Sequence, residues 1–361
     1  MSWINTDHRP YLISGPCSAE TESQVIETAI RLSKTGRIHA LRAGIWKPRT
    51  RPGAFEGIGE KGLPWLSKAK EITGIPTMVE VARAQHVDAC LKEGIDMLWI
   101  GARTTVNPFA VQEIAEALRG IDIPIFLKNP VSPDLDLWIG GMERLINIGL
   151  TRVAAIHRGF YFSGEKIYRN RPQWQLAIDF KTAMPNIPMI NDPSHICGNR
   201  DLLFRVAQQA IDLEFDGLMI ESHIDPDHAW SDAAQQITPE QYGELINNLV
   251  IRHTENQASI NEIAYLDRLR KEIDLLDDEI IHILNSRMKI VRDIGHYKKD
   301  HDIVILQTSR WKEILEKFLK KGINSGLTEE FITKIIKSIH DESIAQQEKI
   351  MNSGDSAIIK Q

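Results

Sequence analysis

From Tyr11 to about Ser222, short apolar runs alternate with amphipathic stretches, the pattern of parallel strands joined by covering helices. The runs are Tyr11 to Ser14, Ala40 to Ile45, Pro76 to Val81, Met97 to Ile100, Pro124 to Leu127, Arg152 to Ile156, Pro188 to Ile190 and Gly217 to Ile220. Between them, helical stretches such as Glu22 to Lys34, Ala84 to Glu93, Pro108 to Leu118 and Asp201 to Glu214 are long enough for the crossovers that parallel strands require. Eight such units predict an α/β fold, a closed (β/α)8 (TIM) barrel. A doubly wound open sheet competes, but it should carry a glycine-rich phosphate loop after its first strand, and Gly15-Pro16-Cys17-Ser18 is no such loop.

Past about Val250 the strand pattern stops and glycine thins out. Glu262 to Lys299 reads as one long helix, followed by helices at about Thr308 to Lys320 and Thr328 to Ile350, the last with Thr328 as cap and acids in its first turn. The expected organisation is a barrel over 1–251, a linker over 252–259 and an all-α three-helix domain over 260–361. Three helices alone enclose little core, so this domain is expected to form a homodimer.

The chain has 361 residues, more than one core usually supports, which agrees with two domains. A net charge of -6 offers no basic footprint for nucleic acid or an anionic membrane, so the expected partners are small molecules. Cys17, Cys90 and Cys197 are an odd number at spacings that build no disulfide framework, and they fit a reducing compartment. The segment Met1 to Pro10 lacks the apolar stretch of a secretory signal, and no apolar run is long enough for a membrane span, which gives a cytoplasmic expectation.

Residues with chemical potential cluster just past the ends of the apolar runs. In a (β/α)8 barrel these positions converge on one rim, where barrel active sites sit. Arg42, Lys47, Arg49, Arg103, Lys128 and Arg158 follow the strand rhythm in an acidic chain. Convergent cations in a partly buried pocket call for anions, so the ligands should carry phosphate and carboxylate groups. If Cys17, His195, Glu221 and Asp232 also meet there, their mixed sulfur, nitrogen and oxygen set suits a divalent metal ion such as Mn, Fe, Co or Zn. Cys197, two residues past His195, is the competing thiol.

The motifs Gly15-Pro16-Cys17-Ser18, Lys47-Pro48-Arg49-Thr50, Gly101-Ala102-Arg103, Leu127-Lys128, His157-Arg158-Gly159, Asp192-Pro193-Ser194-His195 and Ile220-Glu221-Ser222-His223 occur in order over roughly the first 250 residues. They resemble the type I beta 3-deoxy-D-arabino-heptulosonate 7-phosphate (DAHP) synthases. The resemblance implies a metal-dependent condensation of phosphoenolpyruvate with erythrose 4-phosphate, with Cys17, His195, Glu221 and Asp232 as metal ligands. It further implies that Arg103, Lys128 and Arg158 hold the phosphate of phosphoenolpyruvate, Arg42 and Lys47 its carboxylate, and Arg49 with Thr50 the erythrose 4-phosphate. The nearest alternative is the sibling 3-deoxy-D-manno-octulosonate 8-phosphate synthase, whose loop is Lys-Ala-Asn-Arg-Ser in type where this chain has Lys47-Pro48-Arg49-Thr50. Arg51 stands where the family often has serine, and His157 where an acid is common.

In the long helix, Leu266, Leu269, Ile273, Leu276, Ile280, Ile283, Leu284, Val291 and Ile294 mark one face. Arg287 interrupts that stripe, and Lys298 returns to within roughly 20° of it, whereas Arg270 is turned away by about a quarter circle. In the last helix, Ser343 and Gln347 fall on the stripe set by Ile332, Ile336, Ile339 and Ile350, so polar groups on a core face point to an anion site. These residues resemble the all-helical (type II) chorismate mutases, ungapped from Arg270 through Arg287, Lys298, Arg310, Ser343 and Gln347. The resemblance implies rearrangement of chorismate to prephenate. Arg270 would be lent by a second subunit, Arg287 and Arg270 would hold the carboxylates, and Lys298 and Gln347 would hydrogen-bond the ether oxygen. Gln307 and Trp311 stand where acidic groups commonly meet the substrate hydroxyl. A non-catalytic, dimerising ligand sensor is the rival for this domain. Because the Met1 to Pro10 leader leaves no room for an N-terminal regulatory domain, feedback by prephenate through the C-terminal domain is also expected.

Overall fold

A computed structural model of the chain describes residues 3–4, 10–47, 53, 55–252 and 260–353. It divides into two compact units, Met1–Arg252 and His253–Gln361. In the first, eight parallel strands close in sequence order into a barrel. They are β1 (Tyr11–Gly15), β2 (Ala40–Ala43), β3 (Thr77–Val81), β4 (Met97–Ile100), β5 (Ile125–Lys128), β6 (Val153–His157), β7 (Met189–Asn191) and β8 (Gly217–Glu221). Closure runs through β1 and β8, paired from Tyr11 with Gly217 to Gly15 with Glu221. The barrel expected from the alternating pattern is therefore present, each strand within two residues of its apolar run.

Alternation of side chains across each strand positions the site. Ile13, Ala40, Met78, Trp99, Phe126, Ala154, Ile156, Ile190 and Met219 form one buried cluster inside the barrel, and the intervening strand residues belong to a second cluster packed beneath the helices. Trp3 packs against this inner cluster, edge-on to Phe126 at 5.6 Å, its indole donating to the Val153 carbonyl at 2.9 Å. Two residues further along the same inward rows come Arg42, Glu80, Lys128, Arg158, Asp192 and Glu221. The rows that fill the barrel thus end in its charged groups. Two rows end in glycine instead, for a steric reason. A Cβ on Gly15, whose φ is +144°, would lie 2.1 Å from the Arg42 carbonyl oxygen, and one on Gly101 would lie 2.0 Å from Glu80 Oε1.

The second unit is all helical: Ile260–Asp300, Thr308–Asn324 and Glu329–Asn352. Thr328 caps the last helix, accepting from the Phe331 amide at 3.3 Å. Ile332, Ile336 and Ile350 are buried along that helix together with Ser343 and Gln347, the stripe expected from the sequence. Gly322 lets the middle helix approach Ile332, which a Cβ there would meet at 2.4 Å. Much of the long helix's apolar face lies open: Ile273, Leu276, Ile280 and Ile283 are 53 to 63% exposed. Of the expected linker over 252–259, only Arg252 lies among the described residues. Among the described residues, no helix is long and apolar enough to cross a membrane.

Candidate active sites

A cavity of about 330 Å³ opens at the ends of the strands that carry the charged groups. Its walls include five cations, Lys47, Arg103, Lys128, Arg158 and Arg169, against the carboxylates Glu80 and Asp232 and the imidazole of His195. Its size falls in the usual range for small-molecule pockets, and the excess of positive charge favours an anionic ligand. Burial pushes the Arg158 guanidinium down to about 10, even with Asp192 nearby to support its charge. An anion here would restore the stabilisation that burial removes.

Wholly buried Cys17 and Glu221 adjoin the cavity. The Cys17 thiol donates to Asp232 Oδ2 at 3.2 Å and accepts from Lys47 Nζ at 2.8 Å. Glu221 Oε1 stands 3.7 Å from His195 Nε2 and 3.1 Å from Arg42 Nη1. Neither approach gives it a properly directed hydrogen bond. Burial, followed by the negative charge of Glu221, pushes the Cys17 thiol up to about 12 against the pull of Lys47. Burial also opposes charge on Glu221, but His195, Arg42 and Lys47 outweigh it and hold that carboxyl below its ordinary value. Burial lowers His195 against the opposing pull of Asp192 and Glu221. The structure therefore brings the four expected ligands together as two pairs, Cys17 with Asp232 and His195 with Glu221. Among the described residues, however, no three His, Cys, Asp or Glu side chains close into an ion-sized cluster.

The local sequence explains these placements. Asp192 caps the short helix Pro193–Cys197 by accepting from the His195 amide at 3.1 Å. Its other oxygen lies 2.8 Å from His195 Nδ1 and accepts from Lys128 Nζ at 2.7 Å. Asp232 adopts a left-handed backbone, φ 49° and ψ 39°, which Asp tolerates better than most residues. The competing Cys197 is buried in the apolar cluster between barrel and helices.

Arg42 is buried on the face of Trp99, 4.8 Å from the ring centroid, and also donates to the Cys17 carbonyl at 3.3 Å. Arg49 and Thr50, expected to hold the second substrate, lie outside the described residues, as does Arg51. His157 is fully buried, with Nε2 2.6 Å from the Pro172 carbonyl and burial lowering it to about 4. It braces the loop after β6 as a neutral ring. Sequence reasoning assigned no role to Arg169, Asn170, Gln235 or Asp192. Of these, only Asp192 left a local signal, as the cap residue ahead of Pro193.

In the helical unit, Arg287 Nη1 donates to Ser343 Oγ at 2.6 Å, and Gln347 Nε2 donates to the Ser343 carbonyl at 3.2 Å. Gln347 Oε1 is buried and accepts no hydrogen bond among the described residues. Lys298 Nζ donates to the Ile305 carbonyl at 2.5 Å, and burial lowers both Lys298 and Arg287. Arg287, Ser343 and Gln347 thus lie where the long and last helices meet, while Lys298 is tied to the loop that follows the long helix. Arg270 does not join them: it is exposed and lies about 25 Å along the helix axis from Arg287 at 1.5 Å per residue. Gln307 and Arg310 are exposed as well. Gln307 precedes the middle helix, and Arg310 pairs with Glu313 at 2.6 Å. Trp311 stacks on His340 with centroids 4.0 Å apart.

These features define a (β/α)8-barrel enzyme with an anion-accepting rim, joined to a helical domain that carries the half-buried Arg287 and the buried Lys298. Residues 3–256 match the model of the DAHP synthetase I family, and residues 269–348 match chorismate mutase type II. The chain belongs to the DAHP synthetase I family. It is a bifunctional enzyme of the shikimate route to aromatic compounds, a DAHP synthase (transferase) fused to a chorismate mutase (isomerase). Among its relatives, the phospho-2-dehydro-3-deoxyheptonate aldolase of Thermotoga maritima is 31% identical over 238 residues, 66% of this chain and 68% of that protein. A 2-dehydro-3-deoxyphosphooctonate aldolase of Desulfotalea psychrophila is 29% identical, with 66% and 88% covered. The crystal structure of the Thermotoga maritima DAHP synthase superposes with a TM-score of 0.59 at 29% identity, covering 67% of this chain and 68% of that one.

Proposed function

We propose that the barrel condenses phosphoenolpyruvate with erythrose 4-phosphate to DAHP and phosphate in a metal-dependent reaction, and that the helical domain rearranges chorismate to prephenate. The observation that carries the first half is the cavity walled by Lys47, Arg103, Lys128, Arg158 and Arg169 beside the Cys17, His195, Glu221 and Asp232 contacts. Arg103, Lys128 and Arg158 hold the phosphate of phosphoenolpyruvate, Lys47 and Arg42 its carboxylate, and Arg49 with Thr50 the second phosphate. Held in this way, C3 of the enol faces the aldehyde carbon, water adds at C2, and phosphate leaves.

The residues fit a divalent transition metal, because thiol, imidazole and two carboxylates are its usual donors and the buried Glu221 Oε1 accepts no hydrogen bond. Such an ion, when bound, supplies Lewis acidity toward the aldehyde oxygen. Lys47 meanwhile helps to offset the negative charge gathered around Cys17, Glu221 and Asp232. Erythrose 4-phosphate is preferred to arabinose 5-phosphate because the chain reads Lys47-Pro48-Arg49-Thr50 and its 31% identical relative is a heptonate enzyme.

The rearrangement needs no acid, base or metal from the protein, only a pocket that holds the compact conformer and meets developing charge. Arg287 grips a carboxylate, while Lys298 and Gln347 meet the ether oxygen, for which Gln347 can turn its amide. Ser343, Gln307 and Arg310 complete the substrate contacts. The second carboxylate falls to Arg270 of a neighbouring copy, because Arg270 cannot reach Arg287 within one chain. The open Ile273, Leu276, Ile280 and Ile283 are the face on which that homodimer forms. Ile280→Asp is expected to convert a dimer into a monomer by light scattering and to lower mutase turnover by at least about tenfold. A variant that stays dimeric and fully active removes this assignment.

Prephenate bound at the helical domain lowers the condensation rate. The chain works in the cytoplasm, where its three unpaired cysteines stay reduced. One set of assays tests the whole reading: both reactions with EDTA, with EDTA followed by excess Mn²⁺, and with saturating prephenate. Condensation alone should fall with chelator and return with metal, and condensation should also decline with saturating prephenate. Full condensation in chelator refutes the metal reading, and unchanged kinetics with prephenate refute the feedback.

A further inference from the structure

Two polar side chains beside the condensation site play no part in the reaction described so far. Gln235 is 1% exposed and bridges two elements. Its Nε2 donates to Glu221 Oε2 at 2.6 Å, while its Oε1 accepts from Arg169 Nη1 at 2.7 Å. The amide has only one usable orientation here, because a carboxylate accepts only and a guanidinium donates only. The same Nη1 lies 3.1 Å from Asp232 Oδ1.

Arg169 itself is placed by the backbone. Its amide donates to the Cys197 carbonyl at 3.3 Å and the next amide donates to the Ile196 carbonyl at 3.1 Å. Asn170 Nδ2 donates to the His195 carbonyl at 2.6 Å. The arginine stem runs against Gly198, where a Cβ would lie 2.5 Å from Arg169 Cβ. One hydrogen-bonded path therefore joins Glu221 on β8, Asp232 on the following loop, and the loop after β6 that lies along the His195 segment.

We propose that Gln235 and Arg169 are a positioning pair for a divalent cation, fixing which oxygen of Glu221 and which oxygen of Asp232 face the ion. Each carboxylate has one oxygen engaged by the pair, Oε2 of Glu221 and Oδ1 of Asp232. The other oxygen points elsewhere: Glu221 Oε1 lies 3.1 Å from Arg42 Nη1 and 3.7 Å from His195 Nε2, and Asp232 Oδ2 lies 3.2 Å from Cys17 Sγ. The pair thus directs the remaining oxygens toward the other two donors. This inference rests on the metal reading given above.

The test is Mn²⁺ binding to the full-length protein, followed by electron paramagnetic resonance of the unbound ion, in the parent, Cys17→Ala, Gln235→Met, Arg169→Met and the Gln235/Arg169 double variant. Outer partners of metal ligands typically contribute about 10- to 100-fold in affinity. Each single variant of the pair should bind Mn²⁺ about tenfold or more weakly, and the double variant no worse than the weaker single, since both cut one path. Melting temperatures in EDTA identify any variant that has simply unfolded, and Gln235→Leu then replaces Gln235→Met. Parent-like or tighter affinity in Gln235→Met or Arg169→Met overturns the proposal, as does full additivity in the double variant. If the parent's affinity does not depend on Cys17, the metal reading itself fails, and the comparison with Cys17→Ala separates that outcome.

Discussion

Replacing Cys17 with serine is expected to lower the condensation rate by about 10³-fold at limiting Mn²⁺, while chorismate rearrangement in the same preparation is unchanged. The thiol is wholly buried between the Lys47 ammonium at 2.8 Å and the Asp232 carboxylate at 3.2 Å. Burial and the neighbouring acids push it up to about 12. It ionises near neutral pH only if a further positive charge arrives, which a bound divalent ion would supply. A serine hydroxyl is far harder to ionise and lacks the polarisable sulfur, so the ion would be left with three donors. Lewis-acid stabilisation supplies several kcal/mol of the barrier reduction, and about 4 kcal/mol corresponds to 10³-fold. The control is Cys197→Ala. That thiol packs in the apolar cluster, so its loss should shift the melting temperature more than the rate. A Cys17→Ser enzyme that keeps the parent rate at limiting Mn²⁺ would remove Cys17 from the reaction.

That comparison also shows what the chain discloses before it folds. A barrel strand has a two-residue period, and its inward row runs straight from apolar filler into charge, as in Ala40 to Arg42, Phe126 to Lys128 and Met219 to Glu221. Residues on such rows are legible because periodicity fixes both their side and their height. Cys17 and Cys197 are equally plausible thiols by spacing, and only the fold decides, turning one toward Asp232 and the other into the core. Arg169 and Gln235 follow no period. Arg169 lies in the loop after β6 and Gln235 ends the single turn Ala233–Gln235, 66 residues apart, and their meeting depends on the Gly198 turn and the closed barrel. Loop-borne partners of this kind are invisible to pattern reading, even where their bonds are short and buried.

In the helical unit the pattern was more explicit. Arg287 interrupts an otherwise apolar stripe, which marks a polar group on a core face, and its guanidinium donates to Ser343 on the last helix. The helix-angle argument also kept Arg270 apart, and distance along the axis supplies a second reason. The exposed face around Ile280 is the surface on which the proposed homodimer would pack. By contrast, the exposed positions of Gln307 and Arg310 had no periodic signal, because both lie where the middle helix begins.

Arg287→Met is expected to lower chorismate turnover by about 10³-fold with no change in condensation measured without prephenate. The guanidinium is half-buried, and burial lowers it, so its charge is held in a setting where an anionic ligand gains more than it would in water. Arg287 donates to Ser343 Oγ at 2.6 Å, and that hydroxyl in turn donates to the Ile339 carbonyl. The guanidinium is therefore oriented before any ligand arrives. Removing one pre-organised donor from developing charge typically costs 10²- to 10³-fold, and a carboxylate left without its cation belongs at the upper end. Ser343→Ala removes only the neutral partner, and its effect should be nearer tenfold, matching a hydrogen bond of about 1 kcal/mol. Arg287→Lys restores the charge but not the planar fork, so it should recover only part of the loss. Far-ultraviolet circular dichroism must stay unchanged across the series. Turnover within a few-fold of the parent in folded Arg287→Met would show that chorismate does not rearrange beside the Arg287–Ser343 contact.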